Sequence, residues 1–161
     1  MELLGFYMMV DEFTLDKLVI FNANHRNELK DTNENYLINK LWDGLHFLLT
    51  GSSAYFPVKN NKLSESIVGV HILDTKYDHF IACIKNNEVP EIYNAMKNID
   101  IKELEKKFDP KTFKKNKIHP NIWKQDKRKE LFQELISEYN GLLEFYQRAL
   151  TKNVHIIFSV F

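Results

Sequence analysis

Hydrophobic positions divide this chain into segments of two kinds. Residues 3–10, LLGFYMMV, form a short continuous apolar run, and the closing NVHIIFSVF at 153–161 is another. Runs of this length with apolar residues on both faces predict strands covered on each side. Between them the pattern turns helical. Asp11 stands as an N-cap before EFTLDKLVIF, where Leu15, Leu18 and Val19 recur at helical spacing. Polar, Asn-rich residues 22–35 read as a connection.

A second helix is predicted from about Glu34 to Thr50, with Gly51 at the position of a left-handed C-terminal residue. On its wheel Leu37, Ile38, Leu41, Trp42, Leu45, Leu48 and Leu49 fill an arc of about 140°. Phe47 falls far from that arc. Asn39, Asp43 and His46 share one narrow strip on the opposite side.

Residues 52–66 read as loop around Pro57 and Asn60-Asn61. SIVGVHIL (66–73) fits either a strand or a helix end, and HFIACI (79–84) reads as a strand. Residues 87–98 predict a helix with Pro90 in its first turn. Another short helix follows, capped by Asp100, and Pro110 and Pro120 bracket a turn-rich segment. The clearest helix runs from about Asp126 to Thr151. Leu131, Leu135, Tyr139, Leu142, Tyr146 and Ala149 share one face, and Gly141 interrupts it at a helix cost of about 1 kcal/mol relative to Ala. Terminal strands with helices between them predict a single α+β domain over 1–161. Its sheet is small, mostly antiparallel or mixed, and packed by several helices.

Composition narrows the function classes. Twelve Phe, seven Tyr and two Trp in 161 residues supply ample apolar surface for a folded core. Lysine and arginine number 22 and so do aspartate and glutamate, so no global field draws the chain to nucleic acid or membrane. Cys83 is the single cysteine, which points to a reducing, cytoplasmic setting. No apolar run has membrane-spanning length, and the acids after the first apolar run argue against a signal peptide.

At this point the motifs WDGLHFLLTG (42–51), FDP (108–110), PNIW (120–123) and FYQRA (145–149), in this order and before a closing apolar strand, resemble the YfbM-like family. That is a bacterial family classed as a domain of unknown function. Matched positions are Trp42, Asp43, Gly44, His46, Gly51, Phe108, Asp109, Pro110, Pro120 and Trp123. The resemblance implies one α+β domain and names no reaction.

Candidate chemistry is sparse. Asp43 and His46, one helical turn apart, could form a carboxylate–imidazole pair for acid–base work or binding, with Trp42, Asn39 or Tyr77 lining a pocket. The competing reading is structural: a wet helix edge, or Asp43 capping a neighbouring helix while His46 bonds a backbone carbonyl. Trp42 reads as core on burial grounds, and Gly44 predicts close approach of another backbone. His71, Asp74, Asp78 and His79 are metal-ligand types, but their spacing matches no zinc pattern, so no metal or cofactor is expected.

From Lys102 to Lys129 eleven basic residues stand against four acidic ones, leaving +7 there and −7 elsewhere. Phe108, Phe113 and Trp123 interleave with these charges. Without a recognition motif the segment reads as a solvated face, and nucleic acid is not the expected partner. The sequence thus favours a non-catalytic binding or interaction module, one version of which protects against or inhibits a partner protein. The alternative is an enzyme or small-molecule binder using Asp43 and His46.

Overall fold

The structure, a computed structural model, describes residues 3–21, 34–75 and 80–161. Five strands, β1 (Gly5–Val10), β2 (Asn35–Asn39), β3 (His71–Asp74), β4 (Phe80–Ile84) and β5 (His155–Val160), form one sheet in the order β2-β1-β5-β4-β3. Every neighbouring pair is antiparallel. The two terminal runs lie side by side at the centre, with Met8 opposite Ile157 and Gly5 opposite Val160. Centrality explains their composition, because both faces are covered. Tyr7, Met9, Ile156, Phe158 and Val160 face the larger core. Met8, Val10 and Ile157 face a smaller one, closed with Ile81, Cys83 and Leu15.

The helices are α1 (Glu12–Phe21), α2 (Trp42–Thr50), α3 (Lys62–Val68), α4 (Val89–Lys97), α5 (Ile101–Lys107), α6 (Pro110–Lys115) and α7 (Arg128–Lys152). Together with the sheet they make the α+β fold expected from the terminal strands. Local signals act as anticipated at several ends. Asp100 accepts the amides of Lys102 and Glu103 at the start of α5, and Pro90 sits in the first turn of α4. In α7, Leu131, Leu135, Tyr139, Leu142, Tyr146 and Ala149 are all buried along one face.

The expected helix from Glu34 to Thr50 is two elements. Residues 35–39 pair with β1, a turn follows, and α2 begins only at Trp42. In β2 burial alternates: Tyr36 and Ile38 point inward while Leu37 is 49% exposed. Asn39 ends the strand with φ 60, which no helix accommodates. Leu37, Leu41, Leu45 and Leu48 recur at a spacing that imitates one helix, but cross-strand pairing and an Asn in the left-handed region override it.

Residues 62–68, expected as loop and undecided sequence, form α3. Asn61 caps it by accepting the amides of Leu63 and Ser64, and the chain leaves it at Gly69 for β3. The last carbonyls of α3 point into the core, where the Tyr7 and Tyr146 hydroxyls donate to Ile67 O (2.6 Å) and Ser66 O (2.7 Å). Helix-terminal carbonyls lack intrahelical partners, so these tyrosines let α3 end in a dry interior. Burial raises both hydroxyls well above their ordinary pKa, keeping them protonated donors. Among the described residues no helix is long and apolar enough to cross a membrane.

Candidate binding cleft

Trp42, Asp43 and His46 all lie in the first turns of α2 and are buried. They can be buried there because Gly44 between them lets α2 approach closely: a Cβ on Gly44 would lie 2.5 Å from the Trp123 indole. The partner at this contact is a side chain, where the sequence suggested a backbone.

Asp43 and His46 do not pair. Asp43 Oδ1 accepts the Ser53 hydroxyl (2.8 Å) and the Ala54 amide (2.7 Å), and Oδ2 accepts the His119 amide (2.8 Å). Three donors from two remote loops converge on one buried carboxylate. The His46 Nδ1–H donates to Ser52 O at 2.6 Å. The Ser52 carbonyl can only accept, so Nδ1 carries the proton; burial favours the neutral ring, which leaves Nε2 to accept the Ser64 hydroxyl proton at 2.7 Å. This network fixes a neutral ring with the proton on Nδ1. Burial holds the His46 pKa below its ordinary value, only partly offset by the Ser52 carbonyl and the Asp43 charge.

The remaining candidates fall in different places. Asn39 is exposed at the end of β2, so the helical strip of Asn39, Asp43 and His46 does not exist. Tyr77 lies outside the described residues, as do Asp78 and His79. His71 is on an edge strand and bonds Glu88 at 2.7 Å, and Asp74 ends that strand. Cys83 is buried mid-strand with a free thiol.

The basic segment shows the same economy. Phe108, Phe113 and Trp123 are buried against one another, with Phe113 and Trp123 ring centres 4.5 Å apart. They anchor the segment and do not stand free among the lysines. Arg128 donates to the carbonyls of Phe108 (3.0 Å) and Glu105, closing the end of α5.

What the Asp43 and His46 networks hold is the 52–61 connection between α2 and α3, together with the first turn of α3. That connection forms one wall of an open cleft of about 680 Å³. Ala54, Tyr55 and Pro57 supply this wall, and Trp42 stands behind it. The Trp42 indole is fixed by donating to Leu3 O at 3.1 Å and meets Tyr55 edge-to-face at 5.5 Å. The opposite side is the sheet, through Phe80, Phe158, Val160 and Ile72, with Val68 from the end of α3. Of the large apolar lining residues, Tyr55 and Ile72 are exposed, at 56% and 64%. Trp42 was recognised from the sequence; the other lining residues were not. The signal available was the adjacent Tyr55-Phe56 in an otherwise polar loop before Pro57.

The His119 ring also packs against Trp42, ring centres 6.0 Å apart. Among the described residues its Nε2 is the one buried side-chain polar atom without a hydrogen-bond partner.

A central pair of terminal strands with helices against the main face defines an α+β protein, and an apolar cleft opens beside Trp42. The chain belongs to the family described as domain of unknown function DUF1877, whose model matches residues 1–159. It is similar to Protein YfbM of Escherichia coli (strain K12), with 28% identity covering 98% of this chain and 97% of that protein. It is also similar to the crystal structure of a protein of unknown function, YfbM from Escherichia coli. That match has a TM-score of 0.89 and 28% identity, covering 98% of this chain and 99% of the other.

Proposed function

We propose that this protein is a non-catalytic binding module and that its working surface is the cleft between Trp42 and the sheet. One observation carries the reading. Asp43 and His46 spend their polar atoms on Ser52, Ser53, Ala54, Ser64 and His119, and thereby brace the wall of that cleft. A catalytic pair would need an atom left over for substrate. A cleft of this volume, walled by apolar and aromatic side chains with few polar groups, has the character of a ligand site. The exposed Tyr55 and Ile72 in its lining supply the apolar rim that an interaction surface uses. The buried free thiol of Cys83 supports a reducing, cytoplasmic setting.

A fragment screen followed by two-dimensional NMR tests this reading. Binding fragments should shift the Trp42 indole N–H and the Val68 and Val160 methyls, leaving the lysines of α5 and α6 unmoved. Fragments that collect on the basic segment, or turnover of any fragment that Asp43→Asn abolishes, would sink it.

A further inference from the structure

The chemistry of the cleft walls says more than that something binds. Among the described residues, no charged side chain lines it; the lining side chains with a polar group are Trp42, whose N–H is spent on Leu3 O, Tyr55 and Thr75. An ion entering such a site would lose hydration and find no opposite charge among these residues in return. Nucleotides, sugar phosphates and free amino acids are therefore poor fits.

Aromatic rings bound the space on two sides. Trp42 and Tyr55 form an edge-to-face pair at one wall, while Phe80 and Phe158, 6.1 Å apart, tilt against each other at the sheet. Walls of this kind favour a flat π-system, which finds both ring edges and ring faces within one site. The Trp42 indole is held by its bond to Leu3 O, so the wall is set before anything binds. The Tyr55 hydroxyl is raised above its ordinary pKa by burial and by the Asp43 charge, and so remains a neutral donor and acceptor.

We propose that the cleft receives an uncharged small molecule with a flat, largely aromatic body and one hydrogen-bonding end. The body lies between the Trp42–Tyr55 wall and the sheet at Phe80 and Phe158, and the polar end meets the Tyr55 or Thr75 hydroxyl. This rests on the reading of the cleft as the binding surface.

A matched pair of fluorescent probes separates the two ideas. N-phenyl-1-naphthylamine is neutral, and 8-anilinonaphthalene-1-sulfonate carries the same aromatic body with an added anion. Titrations of the wild-type chain and of Thr75→Trp and Tyr55→Ala are compared, with melting curves confirming that each variant folds. Both substituted residues are exposed, so neither change disturbs the core. The neutral probe is expected to bind at one site at least tenfold more tightly than the sulfonate. Each substitution should weaken it at least fivefold, Thr75→Trp by filling the mouth and Tyr55→Ala by removing the wall. If the sulfonate binds as tightly and both probes are lost in Thr75→Trp, the uncharged class is wrong while the cleft stands. If the neutral probe does not bind, or binds equally to all three proteins, the cleft is not the binding surface and both readings fail.

Discussion

The Asp43 carboxylate accepts the backbone amide of His119 at 2.8 Å, joining positions 76 residues apart. With Ser53 and Ala54 on its other oxygen, it ties α2 to both the 52–57 loop and the segment before α7. A charged acceptor suits this place because all three partners are donors.

Asp43→Asn should therefore be costly despite its small change in shape. The amide oxygen can keep Ser53 and Ala54, but the NH2 then faces the His119 N–H, donor against donor. Loss of one charge-assisted bond and the buried mismatch predict about 2–3 kcal/mol of destabilisation in urea unfolding. A change under about 0.5 kcal/mol, within the range of ordinary surface substitutions, would show that the convergence on Asp43 does not hold the loops.

His46 gives a pH dependence with a definite sign. Its folded-state pKa lies below the ordinary 6.5, so well above that pH both states carry a neutral ring and its contribution is complete. As pH falls below 6.5 the unfolded chain takes up the proton first, and stability drops until the folded pKa is passed. Among the described residues the charge bearing on the ring is that of Asp43, which opposes the shift without reversing it. NMR titration of the ring carbons should find the neutral Nδ1–H form persisting below pH 6.5. A midpoint at or above 6.5 would contradict the Ser52–His46–Ser64 arrangement.

Gly44→Ala tests the contact that buries this part of α2. Alanine gains about 1 kcal/mol in helix propensity, yet its methyl would lie 2.5 Å and 2.7 Å from two indole carbons of Trp123. Trp123 is buried and donates to Ile118 O at 2.7 Å, so it has little room to yield. Overpacking of this kind costs about 1–3 kcal/mol, and a net loss of stability is expected in thermal melts. A stabilised variant would mean that the indole moves freely.

His119→Phe should move stability the other way. The ring keeps its place against Trp42, and the unpartnered buried Nε2 disappears with its desolvation penalty. A gain on the order of 1 kcal/mol is predicted from the cost of an unsatisfied buried polar atom. A clear loss in calorimetry would show that the imidazole makes a contact the ring alone cannot replace.

Legibility in the sequence followed the range of the interaction involved. The terminal strands were readable because continuous apolar runs mark strands covered on both faces, and α7 because 25 residues repeat one helical period. The caps at Asp100 and the turn at Gly51 were readable because they act within three or four residues. β2 was misread because its leucine spacing fits a helix locally, while pairing with β1 across the chain decides otherwise. The polar pair of α2 was legible as a pair of residues but not as to its partners, which lie from six to 76 residues away.

The sequence by itself determined the α+β class, the family, the long amphipathic helix and the residues Trp42, Asp43 and His46 as the ones to question. Tertiary structure alone decided that Asp43 and His46 face separate partners, that Asn39 leaves them for a strand end, and that a cleft opens beside Trp42. The physical reason is the short reach of hydrogen bonds and packing contacts. Periodicity reports which face of an element is apolar, whereas a buried donor, a facing ring or an unfilled volume exists only once distant segments have been brought within a few ångströms.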